Sequence, residues 1–332
     1  MKLALLGAGR IGQVHAANIH RSPRAELHAV VDVNQDAARA LADRYGAQVA
    51  TGVDAALADP ALEGVLICTS TDTHVDLILR ATRRGLPVFC EKPIDLDLAR
   101  VDACLAEVGR GKAPLFLGFN RRFDPNFRAL REAVQRGDVG DVEIVKITSR
   151  DPAPPPPAYV RVSGGLFRDM MIHDLDMARF LLGEEPVEIF ATGGCLVDPA
   201  IGEAGDIDTA MVILRTQRGA LCHIDNSRRA VYGYDQRVEV FGSLGMLQAG
   251  NPAPTTVTRF TREAVLSDKP FPFFLERYAD AYRAELDHFL DIVERKAQPS
   301  VTGRDGREAL ALADAAARSL ELGRPVKLAT GS

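Results

Sequence analysis

The chain has 332 residues, 46% of them apolar, which suits about two domains at ~150 residues each with substantial cores. A formal charge of -5 and a pI near 5.9 provide no basic field for nucleic acid or an anionic membrane surface. No stretch of 18 uncharged apolar residues occurs, and the opening MKLALLGAGR lacks a cleavage-site pattern, so a cytoplasmic protein acting on small molecules is expected.

In chain order, KLALL at 2–6 reads as a short apolar strand, followed by Gly7-Ala8-Gly9-Arg10-Ile11-Gly12 and a helical pattern to about residue 21. A second strand, LHAVVD at 27–32, ends in Asp32, twenty residues after Gly12. Strand, glycine turn, helix, strand and acid in that order predict a dinucleotide site built from Gly7, Gly9, Arg10, Ile11, Gly12 and Asp32. Gly7 permits the tight turn, Gly9 lets the backbone approach the pyrophosphate, and Gly12 lets helix and strand pack closely. Asp32 should grip the adenosine ribose. Because Val33 and Asn34 follow it, and not arginine, NAD is expected over NADP. A phosphate charge ~4 Å from that carboxylate, at an effective dielectric of ~20, costs up to ~4 kcal/mol, about a thousandfold in affinity.

GVLICTST at 64–71 and PVFCEKP at 87–93 repeat the buried-strand pattern, with helical stretches at 36–45, 72–84 and 95–109 between strands. This alternation predicts an α/β fold, a doubly wound parallel sheet with its ligand at the carboxyl ends of the strands. Asp32, Thr69, Ser70, Thr71, His74, Glu91 and Lys92 all fall at those ends and are candidate cofactor contacts. His74 could equally cap the helix that follows it. Lys92, between Glu91 and Pro93, should point a cation into the cleft where a nicotinamide ring would lie; a cis bond at Pro93 would set its direction.

After LFLGF at 115–119 the periodicity changes. A helix in RRFDPNFRALREAVQRG leads to the strand VEIVKITSR and a stiff proline loop, DPAPPPPAYV. The helix LFRDMMIHDLDMARFLL at 166–182 comes next. Alternating segments follow (VEIFATG, DTAMVILRT, GALCHIDNS, QRVEVFGS, TTVTRF), then two closing helices. The expected second domain, residues 120–332, is α+β on an open, mostly antiparallel sheet; residues 1–119 form the first. On the helix at 166–182, Asp169, His173 and Asp176 fall within an arc of roughly 60° at ~100° per residue. A polar stripe on an otherwise apolar helix must face something polar inside, either a substrate or neighbouring loops that satisfy it. His173 and Asp176 could ligate a metal, but no third strong ligand is in view, and none is expected. Five cysteines, odd in number and without a CxxC pair, read as small buried hydrophobes.

GAGRIG, VVDVN, the EKP turn, GFNRRFDPNF and SGGLFRDMMIHDLDMARFLLG together resemble the glucose-fructose oxidoreductase / inositol dehydrogenase / rhizopine catabolism family over nearly the whole chain. SRDPAPPP, SGGLFRDMMIHD and NSRRAVYGYDQRVEVFGS are most similar to its inositol 2-dehydrogenase branch. The resemblance implies an enzyme with a catalytic set of Lys92, Asp169 and His173 around a carbinol whose hydride passes to nicotinamide. The chemistry agrees: a neutral histidine suits removal of a hydroxyl proton, Asp169 one turn earlier orients it, and Lys92 stabilises alkoxide charge. It further implies Arg122, Asp151, Tyr232 and Tyr234 as contacts to the ring hydroxyls, together with Lys92, Asp169 and His173, and a homotetramer packed through the open sheet. Ser149, Arg150 and Asp151 stand where some relatives have His or Asn, which leaves the substrate's identity open. The expected reaction is NAD-dependent oxidation of myo-inositol or scyllo-inositol to an inosose. A pyranose dehydrogenase or reductase is the alternative, and a non-catalytic cofactor-binding regulator a remote one.

Overall fold

The computed structural model describes residues 1–328. Met1–Phe123 and Ala281–Leu310 form one compact unit; Asp124–Asp280 and the chain from Ala311 onward form a second. The expected single boundary after residue 119 therefore differs from the observed division, and the expected residues 329–332 lie outside the described part. The helix Ala279–Val293 accounts for the difference. Its buried residues include Tyr282, Leu286 and Phe289, and the Phe289 ring meets Phe89 at 5.8 Å and stacks on Phe116 at 6.4 Å. Helical periodicity identifies a face that must be buried, but not which core receives it.

The first unit holds six parallel strands: β1 (Lys2–Leu6), β2 (Glu26–Val31), β3 (Gln48–Val49), β4 (Gly64–Ile67), β5 (Val88–Glu91) and β6 (Leu115–Gly118). Their order, β3-β2-β1-β4-β5-β6, is doubly wound about β1. Helices cover both faces, which is why β1, β4 and β5 are runs of buried residues without alternation. The chain turns in opposite directions from β1 and β4, and the crevice at their carboxyl ends is where such sheets bind ligands.

The second unit is built on β7 (Val142–Arg150), β8 (Pro186–Gly194), β9 (Thr209–Thr216), β10 (Leu221–Ser227), β11 (Asp235–Gly242) and β12 (Gly245–Ala249). A separate hairpin, β13 (Thr258–Phe260) with β14 (Val265–Ser267), and an edge strand, β15 (Val326–Lys327), complete it. The seven-stranded order is β12-β11-β7-β10-β9-β8-β15, antiparallel except between β7 and β10. TTVTRF was expected in this sheet. Its strand pairs with β14 instead, because Pro252 and Pro254 interrupt the ladder beyond β12. The helix Ile172–Leu182 packs on β7 and β10 and covers one face. On β9 burial alternates, leaving Met211 and Ile213 exposed; Leu221, Phe241 and Met246 are exposed too. No helix among the described residues is long and apolar enough to cross a membrane.

Candidate active site

The glycine turn joins β1 to the helix Arg10–Arg21. Gly7 sits at φ +102°, and a Cβ there would lie 2.5 Å from the Cys68 carbonyl oxygen. A Cβ on Gly12 would lie 2.0 Å from the Gly7 carbonyl oxygen, so helix and turn approach as closely as backbones can. Gly9 has open space where its Cβ would be, and no side chain caps the helix that starts at Arg10. Its first-turn N–H groups are thus available to a pyrophosphate, beside the half-buried Ile11. The Asp32 carboxylate accepts from Ala8 N at 2.6 Å and Asn34 N at 2.7 Å, which fixes the acid at the end of β2 beside the turn. An open cradle at Gly9, uncapped N–H groups and a fixed acid fit a dinucleotide. Gly12→Ala should cost about 1–3 kcal/mol of stability and weaken NADH binding, read by thermal melting and NADH fluorescence titration.

Thr69, Ser70 and Thr71 follow β4, and Thr69 and Thr73 bond through their hydroxyls at 2.6 Å. His74 is buried, with Nδ1 2.8 Å from the Pro93 carbonyl and Nε2 3.1 Å from that of Thr69. Burial pushes its pKa down while the two carbonyls push it up, and the ring is a buried strut between two strand ends, not a side-chain cap or an exposed ribose contact. Glu91 also departs from the expected cofactor role: its carboxylate turns inward, 2.7 Å from His15 Nε2. Lys92 is half-buried just past the end of β5, and the Lys92–Pro93 bond is cis. Arg122, expected at the substrate, pairs with Asp305 at 2.9 Å within the first unit.

In the second unit the helix at 166–182 is not α-helical throughout. Phe167–Met171 is a π-helical turn, and α-helix runs only over Ile172–Leu182. The wider turn changes the phase between Asp169 and the residues after it from that of a regular α-helix. Asp176 is buried, 3.7 Å from Arg179 of the same helix. His173 is the one residue from Met170 to Arg179 that is not buried. Asp169 accepts from the Tyr159 hydroxyl at 2.9 Å and from Arg228 at 3.2 Å.

Arg228 was not anticipated. Its buried guanidinium reaches Asp169 with one terminal nitrogen and Asp151 with the other, at 3.3 Å. The one available signal was the paired arginine of NSRR at the end of β10. Arg228→Met should lower kcat roughly tenfold or more with NADH affinity unchanged, because Asp151 and Asp169 lose the cation between them. Steady-state kinetics with an NADH titration checks this. Tyr232 belongs to a neighbouring network, donating to Asp235 at 2.6 Å and accepting from Arg150 at 3.3 Å. Arg150 in turn pairs with Asp225 at 2.6 Å. Tyr234 is buried in the core, its ring edge-on to Tyr278 at 6.0 Å and Phe273 at 6.1 Å, which removes it from an open substrate surface.

The first unit, a doubly wound nucleotide fold with a lysine past β5, and the second, which carries Asp169, His173 and a buried arginine, are the parts of a nicotinamide-dependent oxidoreductase. Residues 1–119 match the family model described as "Oxidoreductase family, NAD-binding Rossmann fold", and residues 127–248 match "GFO/IDH/MocA C-terminal domain". The chain belongs to the GFO/IDH/MocA oxidoreductase family. It is 51% identical over 329 residues, 99% of each chain, to the inositol 2-dehydrogenase of Rhizobium meliloti (strain 1021). It is 49% identical to the myo-inositol 2-dehydrogenase of Thermotoga maritima, over 99% of this chain and 98% of that one. Among solved structures, scyllo-inositol dehydrogenase from Lactobacillus casei with bound NAD(H) and scyllo-inositol superposes with a TM-score of 0.91, at 28% identity and 98% coverage of both chains.

Proposed function

We propose that the protein catalyses NAD-dependent oxidation of a cyclic polyol, myo-inositol or scyllo-inositol, to an inosose. The observation that carries this reading is that His173 is the one residue from Met170 to Arg179 that is not buried, with Asp169 four residues before it, in a chain 51% identical to an inositol 2-dehydrogenase. Gly7, Gly9, Arg10, Ile11, Gly12 and Asp32 hold the dinucleotide, with Thr69, Ser70 and Thr71 at the neighbouring strand end. When bound, NAD supplies the acceptor for the hydride. His173 takes the hydroxyl proton, Asp169 orients the imidazole and stabilises its charged form, and Lys92 stabilises negative charge on the oxygen. Arg228 holds Asp169 in place and balances its charge together with that of Asp151. Asp151 and Tyr232 lie on the second unit's polar networks, from which ring hydroxyls can be held.

The exposed apolar residues on β9, β10, β11 and β12 support a homotetramer assembled through the open sheet. A reducing, cytoplasmic setting agrees with five free cysteines, four of them buried. The test is NADH production across inositol isomers and aldoses. Turnover of an inositol exceeding that of glucose-type sugars is expected; strong aldose turnover with none on inositols would transfer the assignment to a pyranose dehydrogenase.

A further inference from the structure

Three titratable side chains in the first unit take no part in the chemistry above, yet meet in its core. His15 comes from the helix Arg10–Arg21, Glu91 from the last position of β5, and Glu285 from the helix Ala279–Val293. One ligand-type atom from each lies within 4.8 Å of the others, and all three residues are buried. His15 Nε2 is 2.7 Å from Glu91 Oε1. The imidazole is fixed by edge-on contacts to Phe89 at 4.8 Å and Tyr282 at 5.8 Å. Room for the Glu91 carboxylate is reserved by Gly118 on β6, where a Cβ would sit 3.0 Å from Glu91 Oε2. Both oxygens of Glu285, which is 0% exposed, are without a hydrogen-bond partner.

We infer that His15, Glu91 and Glu285 form a buried proton-holding triad, with the proton on Glu285, that anchors the strand end from which Lys92 emerges. The three are positioning residues for that lysine. Two ionised carboxylates this close in a buried core repel each other, and a buried anion with no protein donor is far more costly than a neutral acid. Glu91 has the His15 ring beside it, whereas nothing stabilises a charge on Glu285, so the proton resides on Glu285. Other titratable groups that sense the triad are the Cys68 and Cys90 thiols and His74. Burial raises both thiols, which keeps them neutral, and it lowers His74, which disfavours a compensating cation there. Burial, and then the neighbouring Glu91, push Glu285 well above the ordinary glutamate value of 4.5. An acid raised on folding favours the folded state least where it must ionise, so stability falls as pH rises from 4.5 toward the folded value.

The positioning role rests on the proposed part of Lys92 in polyol oxidation, so the test has two arms on the full-length protein. In the first, infrared spectra at neutral pH should contain a carboxylic-acid C=O band that Glu285→Gln, the neutral isostere, removes. The melting temperature of the wild type should drop relative to Glu285→Gln as pH is raised. A spectrum without that band, parallel melting profiles, or a metal ion found by elemental analysis in the wild type and lost in Glu285→Gln would each overturn the triad. In the second, Glu91→Gln, with His15→Gln as the alternative variant where folding fails, should lower kcat about tenfold or more. The pH profile of kcat should shift while NADH affinity stays the same. An unchanged kcat profile in a folded variant overturns the positioning role. Absence of inositol turnover by the wild type would instead refute the proposed substrate, leaving the first arm intact.

Discussion

Replacing His173 by alanine is expected to lower turnover by about 10²- to 10⁴-fold while NAD remains bound, the usual contribution of a positioned general base. His173 is the one residue from Met170 to Arg179 that is not buried, so truncating it disturbs the core less than truncating its neighbours would. Folding should therefore survive, and the loss should appear in kcat and kcat/KM together. Stopped-flow NADH formation and an NADH titration on the same sample separate chemistry from cofactor binding. Near-normal turnover would remove the proposed base.

Asp32→Ala is expected to relax the preference for NAD over NADP, lowering the NAD to NADP ratio of kcat/KM by up to about a thousandfold. The carboxylate sits at the end of β2, and the residue after it, Val33, is fully exposed and brings no cation to the position a 2′-phosphate would occupy. The substitution also removes the acceptor for Ala8 N and Asn34 N, so NAD affinity itself should fall. Asp32→Asn offers an amide oxygen to one of those N–H groups and should keep more of the affinity while losing the repulsion. Steady-state kinetics with both cofactors decides this; an unchanged ratio in both variants would contradict the ribose assignment.

The nucleotide half was readable because its determinants are local. Glycines at 7, 9 and 12, an acid at 32 and buried strands between helices carry their meaning within a few residues. His173 was readable for a similar reason, as a polar residue on an apolar helix. What escaped the sequence depends on geometry that periodicity assumes or on partners far away in the chain. Periodicity across residues 166–182 reads as a regular α-helix, whereas Phe167–Met171 is a π turn. Arg228 lies 59 residues from Asp169, and nothing local marks it as that acid's partner. Tyr234, two residues from the half-exposed Tyr232, differs from it in being buried, which the sequence alone does not mark. The return of Ala281–Leu310 to the first unit likewise follows from where Phe289 finds aromatic neighbours.

The proposed chemistry requires the Lys92 ammonium and the His173 imidazole to address one hydroxyl group. A crystal structure of the full-length protein with NADH and myo-inositol tests this most directly. Both side chains within hydrogen-bonding distance of the same ring oxygen, on the carbon that faces the nicotinamide, is the predicted result; a bound inositol touched by only one of them would contradict it.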